Sequence, residues 1–515
     1  MSEARQVNPW LVAIAVMFGT FMEVLDTTVV NVSLPHIAGS LSATIDEATW
    51  ALTSYLVANA IILPITGWLA NYFGRKRLLM ISVTGFTLAS FFCGFAVSLP
   101  ELIVFRVIQG AAGGALQPLS QSVLLEAFPP EKRGQAMGFW GLGIVVAPIL
   151  GPVLGGWLTD TYSWRWVFYI NIPVGIASIM MTRMFIFDPP YIRRGTAGVD
   201  YWGIGMLAVG IGSLQILLDK GQQEDWFSSH LIVGLLVVSA LALTAFVIHE
   251  MTTEAPVVNL RVFRDRTYAT GTFLMTVLGF VLYGSLVLLP IWMQTLLGYP
   301  AVVAGIALAP RGLGSFLAMP VVGSLLGKMD PRKFLAFGLV LAALTLLQLG
   351  RLDLNAGYWD FFWPQFVQGI SLALLFVPLT TVSMGLISKE QMGNATSIFN
   401  LLRNTGGSVG IAAVTTLVSR YSQAHINTLV SHVTPYDGVS RGMLEGVTQG
   451  LMARGSAPAV AAKQGYAALY GMVLRQAAIL SFLDIFWLLG LIFLVMVPLV
   501  MLMRRPKGGV SVAAH

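Results

Sequence analysis

The chain has 515 residues, of which 56% are hydrophobic and only 10% charged, and its mean hydropathy is +0.76. A soluble domain carries about 25% charged residues, so a chain of this length could not cover a water-facing surface. The net charge of +6 sits in short Lys and Arg clusters between apolar runs, a pattern of membrane topology rather than of a nucleic-acid face.

The single cysteine, Cys93, lies in an apolar run, which excludes an intrachain disulfide and a Cys-rich metal site. The few histidines fall mostly between the runs and form no metal pattern. No Walker sequence occurs, so ATP is not expected as the direct energy source, and no cofactor is expected. Residues 1–9 are a short polar lead with no cleavage site, so the first span is expected to act as its own insertion signal.

Apolar runs predict fourteen spans near 10–33, 48–70, 77–97, 100–124, 135–157, 166–187, 202–218, 230–249, 268–293, 301–326, 333–350, 360–386, 395–418 and 478–503. Each suits a hydrocarbon core of about 30 Å. Backbone polar groups in lipid must be satisfied within the segment, so helices are expected, and the fold class is an all-α membrane protein.

In the first span Glu23 and Asp26 are three residues apart and share a helix face, with Asn31 further on. Charge at membrane depth is costly, so each such residue is a functional candidate, with Glu23 read as a second proton site or a cation-attracting group in a cavity. The turn after the second span carries Gly67, Asn71, Gly74, Arg75, Lys76 and Arg77. Its cations complement the carbonyl dipole of the helix they follow, and the positive-inside rule alone also accounts for them.

The fourth span holds Arg106, Gln109, Gln117 and Gln121. Counting from the helix ends at 1.5 Å per residue, Asp26 lies about 12 Å and Arg106 about 9 Å below one face, so the two can meet. Asp releases a proton readily and Arg does not. The pair is therefore either a proton carrier with its bias or a static ion pair. The glutamines and Asn31 either point into a substrate cavity or bond between helices.

The fifth span is dense in Gly and Pro: Gly141, Gly143, Pro148, Gly151, Pro152, Gly155 and Gly156. It reads either as ordinary close helix packing or as a kinked helix that seals against a neighbour. Further along, Arg311 lies near mid-membrane, needs an anionic partner and is a further candidate for the substrate cavity. Arg403 and Asp484 read as structural or interfacial residues near helix ends.

Basic residues set the orientation. Arg5, Arg75, Lys76, Arg77, Lys132, Arg133, Arg193, Arg194, Arg261, Arg264, Arg266, Lys328, Arg332, Lys333, Lys389, Arg504, Arg505 and Lys507 fall on one side. Both termini are therefore expected in the cytoplasm, with a long external loop at 419–477.

The chain also repeats itself. Gly67–Arg77 parallels Gly323–Lys333 at an offset of 256 residues. Val107–Gly110 matches Phe366–Gly369, and Lys132–Ala136 parallels Gln391–Ala395, both at 259. Such spacing predicts a duplicated six-helix unit: a first bundle over 1–190, an inserted helix pair over 191–260 and a second bundle over 261–515.

These segments resemble the major facilitator superfamily, and within it the fourteen-span drug:proton antiporters of the EmrB/QacA type, nearest the EmrB-like branch. Leu25–Pro35 is similar to that group's first-span signature. Gly67–Arg77 resembles motif A, with Asn71 where an acidic residue is usual. Phe105–Gly110 resembles motif B, whose Arg is tied to proton coupling, and Ala147–Gly156 the antiporter motif C. Trp164–Gly175 also resembles the group.

The resemblance implies a major facilitator fold and efflux of hydrophobic or amphipathic drugs across a bacterial inner membrane, driven by protons as the coupling ion. It also implies membrane lipids as surroundings, and a periplasmic adaptor and outer-membrane channel as partners, with the 419–477 loop as a docking surface or a tolerated insertion. A narrow-specificity exporter, an uptake symporter and a non-transporting sensor or scaffold are the rival expectations.

Overall fold

The computed structural model describes residues 8–188, 198–434 and 436–503. Arg5, Arg193, Arg194, Arg504, Arg505 and Lys507 of the orientation argument lie outside the described residues. The first half comprises α1 (Pro9–Ser40), α2 (Ile45–Ala48), α3 (Trp50–Phe73), α4 (Arg75–Phe95), α5 (Leu99–Gly113), α6 (Leu116–Ala127), α7 (Arg133–Thr161), α8 (Trp166–Tyr169) and α9 (Asn171–Phe185). A linker pair follows, α10 (Tyr201–Lys220) and α11 (His230–Thr252). The second half comprises α12 (Arg266–Thr295), α13 (Ala301–Leu325), α14 (Pro331–Leu349), α15 (Tyr358–Ser383), α16 (Met392–His432), α17 (Gly438–Ala453) and α18 (Pro458–Met496). No strand occurs among the described residues.

Local chemistry sets the helix ends. Asn8 accepts the Trp10 amide at 3.0 Å ahead of Pro9, which starts α1. Asp265 accepts the Tyr268 amide at 2.8 Å and Asp330 the Arg332 amide at 3.0 Å, starting α12 and α14. The fourth predicted span is two helices rather than one. Pro118 has no N–H for the carbonyl of Gly114, and the chain breaks between Gly113 and Leu116. Likewise Pro173 cannot bond Tyr169, and the sixth span breaks at Ile170.

Among the described residues thirteen helices are long and apolar enough to cross a membrane. The remaining predicted span, 395–418, is α16, whose buried face carries Thr396, Ser397, Asn400 and Arg403 and so lowers its mean hydropathy. It packs along α12, α18 and α3 in the interior of the molecule. The sequence repeat is a structural one. The pairs α1–α7, α3–α5 and α4–α9 of the first half recur as α12–α16, α13–α15 and α14–α18 of the second.

The halves meet along two seams. At one, α7 lies against α13: a Cβ on Gly138 would stand 2.8 Å from the Met319 carbonyl, and one on Gly134 2.9 Å from that of Gly323. At the other, α3 and α6 meet α16. The linker helix α10 packs on α3 and also reaches α16, where Gln215 bonds Ser408 at 3.2 Å. Its partner α11 closes on α10 through the Ser239 hydroxyl and the Gly210 carbonyl at 2.9 Å, and most of its surface is exposed.

The stretch 419–477, read from sequence as a loop, is largely helical. α16 continues to His432, α17 follows, and α18 begins at Pro458. At 1.5 Å per residue α16 is about 60 Å long, twice the hydrocarbon thickness. The run was illegible as helix because its polar residues end the apolar signal that marked the spans.

Candidate functional site

Asp26 is buried in α1, and the structure brings Arg106 to it as the depth argument expected. The Arg106 guanidinium donates to Asp26 Oδ2 at 2.5 Å. Gln109 Nε2 and Asn171 Nδ2 donate to Oδ1 at 3.0 and 2.8 Å. Three N–H donors around one carboxyl suit the acceptor-only character of a carboxylate.

The cation is held as firmly. Arg106 Nε donates to the Ala51 carbonyl at 3.0 Å, its Nη1 also reaches Gln109 Oε1 at 2.8 Å, and its carbon lies 4.1 Å from the centre of the Tyr55 ring. Gly110 has no Cβ because the Tyr55 carbonyl occupies that space, which sets α5 against α3 at this level. Asn171 was missed from sequence. It follows the helix break at Ile170, and an uncharged amide leaves no signal in a membrane span.

Glu23 forms a second buried cluster, one helical turn away. Asn59 Nδ2 donates to its Oε1 at 3.0 Å and Gln117 Nε2 to its Oε2 at 2.7 Å. Gln117 Oε1 in turn accepts from Arg403 of α16. The chain Asn59–Glu23–Gln117–Arg403 therefore crosses from the first half into the second. Next to it Asn400 donates to Gln121 Oε1 at 2.5 Å, and the Thr396 hydroxyl to the Pro118 carbonyl at 3.1 Å.

Arg403 is not near a helix end. α16 starts at Met392, which places Arg403 about 16 Å along it, buried at the seam. Asp484 is instead paired with His425 at 2.8 Å and is half exposed. Asn31 is exposed on α1, outside both clusters. Arg311 is buried within the second half, where Gln365 and Gln368 accept from it at 2.9 and 2.6 Å.

The Gly- and Pro-rich span is α7, helical from Arg133 to Thr161 through both Pro148 and Pro152. Gly151 and Gly155 face α1: a Cβ on Gly155 would lie 2.8 Å from the Val29 carbonyl, and one on Gly151 would collide with Thr28. Gly156 is buried beside them. Pro152 touches α13, where it is the neighbour of Gly305. One helix thus packs tightly on its own half and on the other.

In the turn between α3 and α4, Gly74 has φ of +87°, a backbone conformation that favours glycine. A Cβ on Gly67 would stand 2.6 Å from the Asn394 backbone, so the close approach of α3 to α16 requires a glycine there. Arg75 is buried and ion-paired with Glu126 of α6. The Lys76 amide donates to Asp188 at 2.8 Å and its Nζ to the Arg183 carbonyl at 2.7 Å. Asn71 is exposed. Acidic partners of this turn come from Glu126 and Asp188, outside the turn's own sequence.

Two six-helix bundles, an inserted helix pair and buried charge pairs inside apolar helices define a multi-pass membrane transporter. A sequence model of the Major Facilitator Superfamily matches residues 16–411, and the chain belongs to that superfamily of secondary transporters. It is 39% identical to the multidrug export protein EmrB of Haemophilus influenzae, over 97% of this chain and 96% of that protein. It is 37% identical to the fatty acid resistance protein FarB of Neisseria gonorrhoeae, over 97% of each. Among solved structures a double-tryptophan mutant of XylE shares the fold, with a TM-score of 0.61 at 15% identity over 97% of each chain.

Proposed function

We propose that this protein exports hydrophobic or amphipathic drugs across a bacterial inner membrane in exchange for protons, by alternating access of its two halves. The carrying observation is Asp26, a buried carboxyl ringed by Arg106, Gln109 and Asn171. A proton on Asp26 removes its charge and turns one acceptor oxygen into a donor. Loss of the charge weakens the hold of Arg106, Gln109 and Asn171 on the carboxyl, so protonation favours a rearrangement of α1 against α5 and α9. Asp26 takes its proton from outside and releases it inside, with Arg106 as the competing cation.

Glu23 and its bridge to Arg403 carry that rearrangement to the seam between the halves, where cargo binds. α7 keeps the core closed to ions while it moves, through its contacts with α1 and α13. The relatives named for multidrug export and fatty acid resistance support cargo of this class. The protein acts as the inner-membrane member of a tripartite pump, with the helical extension over 419–477 as the surface for a periplasmic adaptor.

The test is dye content of cells expressing the protein, with and without an uncoupler. Uncoupling is expected to raise dye content, and Asp26→Asn to abolish both drug resistance and the uncoupler effect. Dye content that falls on uncoupling, or an Asp26→Asn variant with full resistance, overturns the proposal.

A further inference from the structure

In the first half a buried cation has its anion, Arg106 with Asp26. The second half keeps the frame and lacks the anion. Gln365 and Gln368 stand 259 residues after Arg106 and Gln109, the offset of the surrounding repeat. The helix contact is repeated as well: Gly110 lies on the Tyr55 carbonyl, and Gly369 on that of Arg311. Tyr55 and Arg311 are themselves 256 residues apart, the other repeat offset. The cation of the second half therefore comes from α13 instead of α15, into the same place in the bundle.

Arg311 is 2% exposed. Its Nε and Nη2 donate to Gln365 and Gln368, and its Nη1 is buried without a partner. Among the described residues no carboxylate pairs with it. α12 presents Leu278, Val281 and Leu282 where α1 presents Asp26, and these line a cavity together with Arg311, Gln368 and Phe493.

A buried charge with no counter-charge is among the most costly groups in a folded protein. The cavity measures about 20 Å³, room for the centre of one water-sized body. Its walls are almost wholly apolar, so a water there would find few partners. An organic anion does not fit.

We propose that Arg311 holds a single small inorganic anion, chloride, as a fixed counter-ion inside the second half. The ion takes the place that the Asp26 carboxylate fills in the first half and receives the free Nη1–H. This site is separate from the proton site and from the seam between the halves.

The test is thermal unfolding of the purified full chain, with chloride titrated against gluconate at constant ionic strength. A ligand bound only by the folded state raises the midpoint as it saturates, here by about 2 to 4 °C. Bromide is expected to substitute. Arg311→Gln is expected to remove the response. Val281→Asp supplies a carboxylate from the chain itself and is expected to make the midpoint in gluconate equal to that in chloride. Equal midpoints for the unaltered protein in the two salts, or a response retained in Arg311→Gln, overturn the proposal. Should Arg311→Gln fail to fold, a chloride response retained in Val281→Asp overturns it alone.

Discussion

Gln117 is the residue on which the two halves lean most directly, since its amide serves Glu23 on one side and Arg403 on the other. Gln117→Leu leaves two buried charged side chains each short of a bond. Hydrogen bonds to charged groups are worth about 1.5 to 3 kcal/mol each, so a destabilisation of about 3 kcal/mol is expected. Denaturant unfolding of the variant measures it, and an unchanged midpoint would show the bridge to be idle. Gly74→Ala forces a side chain into φ of +87°, at a cost of about 1 to 2 kcal/mol, read in the same experiment. The meeting of Asp26 with Arg106 is legible in the sequence, because charge in an apolar run is rare and depth follows from residue count. The amides that complete the site, Asn59 and Asn171, are not. Neutral polar residues are common in such helices, and only packing decides which of them face a carboxylate.

At the scale of helices, close approach is set by the absence of side chains. Gly67 admits the start of α16, Gly134 and Gly138 admit α13, and Gly151 and Gly155 admit α1. The first three contacts lie toward the end of the molecule from which α1 rises. Gly67→Val should pry α3 from α16 there. With Cys93 buried as a silent background, Asn394→Cys gives a reporter at the contact. Its rate of labelling by a water-soluble thiol reagent is expected to rise at least severalfold when Gly67→Val is added. An unchanged rate would mean that this contact does not hold that end shut. The repeat that pairs α7 with α16 was readable from three short matches at nearly one offset. The breaks at Gly114 and Ile170 were not placed, although Pro118 and Pro173 were there to mark them, because hydropathy averages over the interruption.

For the molecule as a whole, the inserted pair and the helical extension are the departures from a plain twelve-helix plan. α10 touches both halves, through Thr53 and Asp219 on one side and Gln215 and Ser408 on the other. The extension is built from the ends of α16 and α18 with α17 against them, where Gly465 sits beside Leu444 and Thr448. Replacing residues 433–457 by a short Gly-Ser linker is expected to leave the proposed proton-driven dye transport intact in everted vesicles. Drug resistance of whole cells is expected to fall, because the proposed adaptor surface is gone. Loss of both, with the protein still inserted, would make the extension part of the transport cycle itself.

α16 has a mechanical consequence. Its buried end carries Thr396, Asn400 and Arg403, gripped by the opposite half, and from Arg403 the helix runs unbroken for about 44 Å more to His432. A single unbroken rod of this kind works as a lever. A tilt of a few degrees at the grip sweeps the far tip through several ångströms, so that a protein resting on the tip would register each turnover without touching cargo or proton.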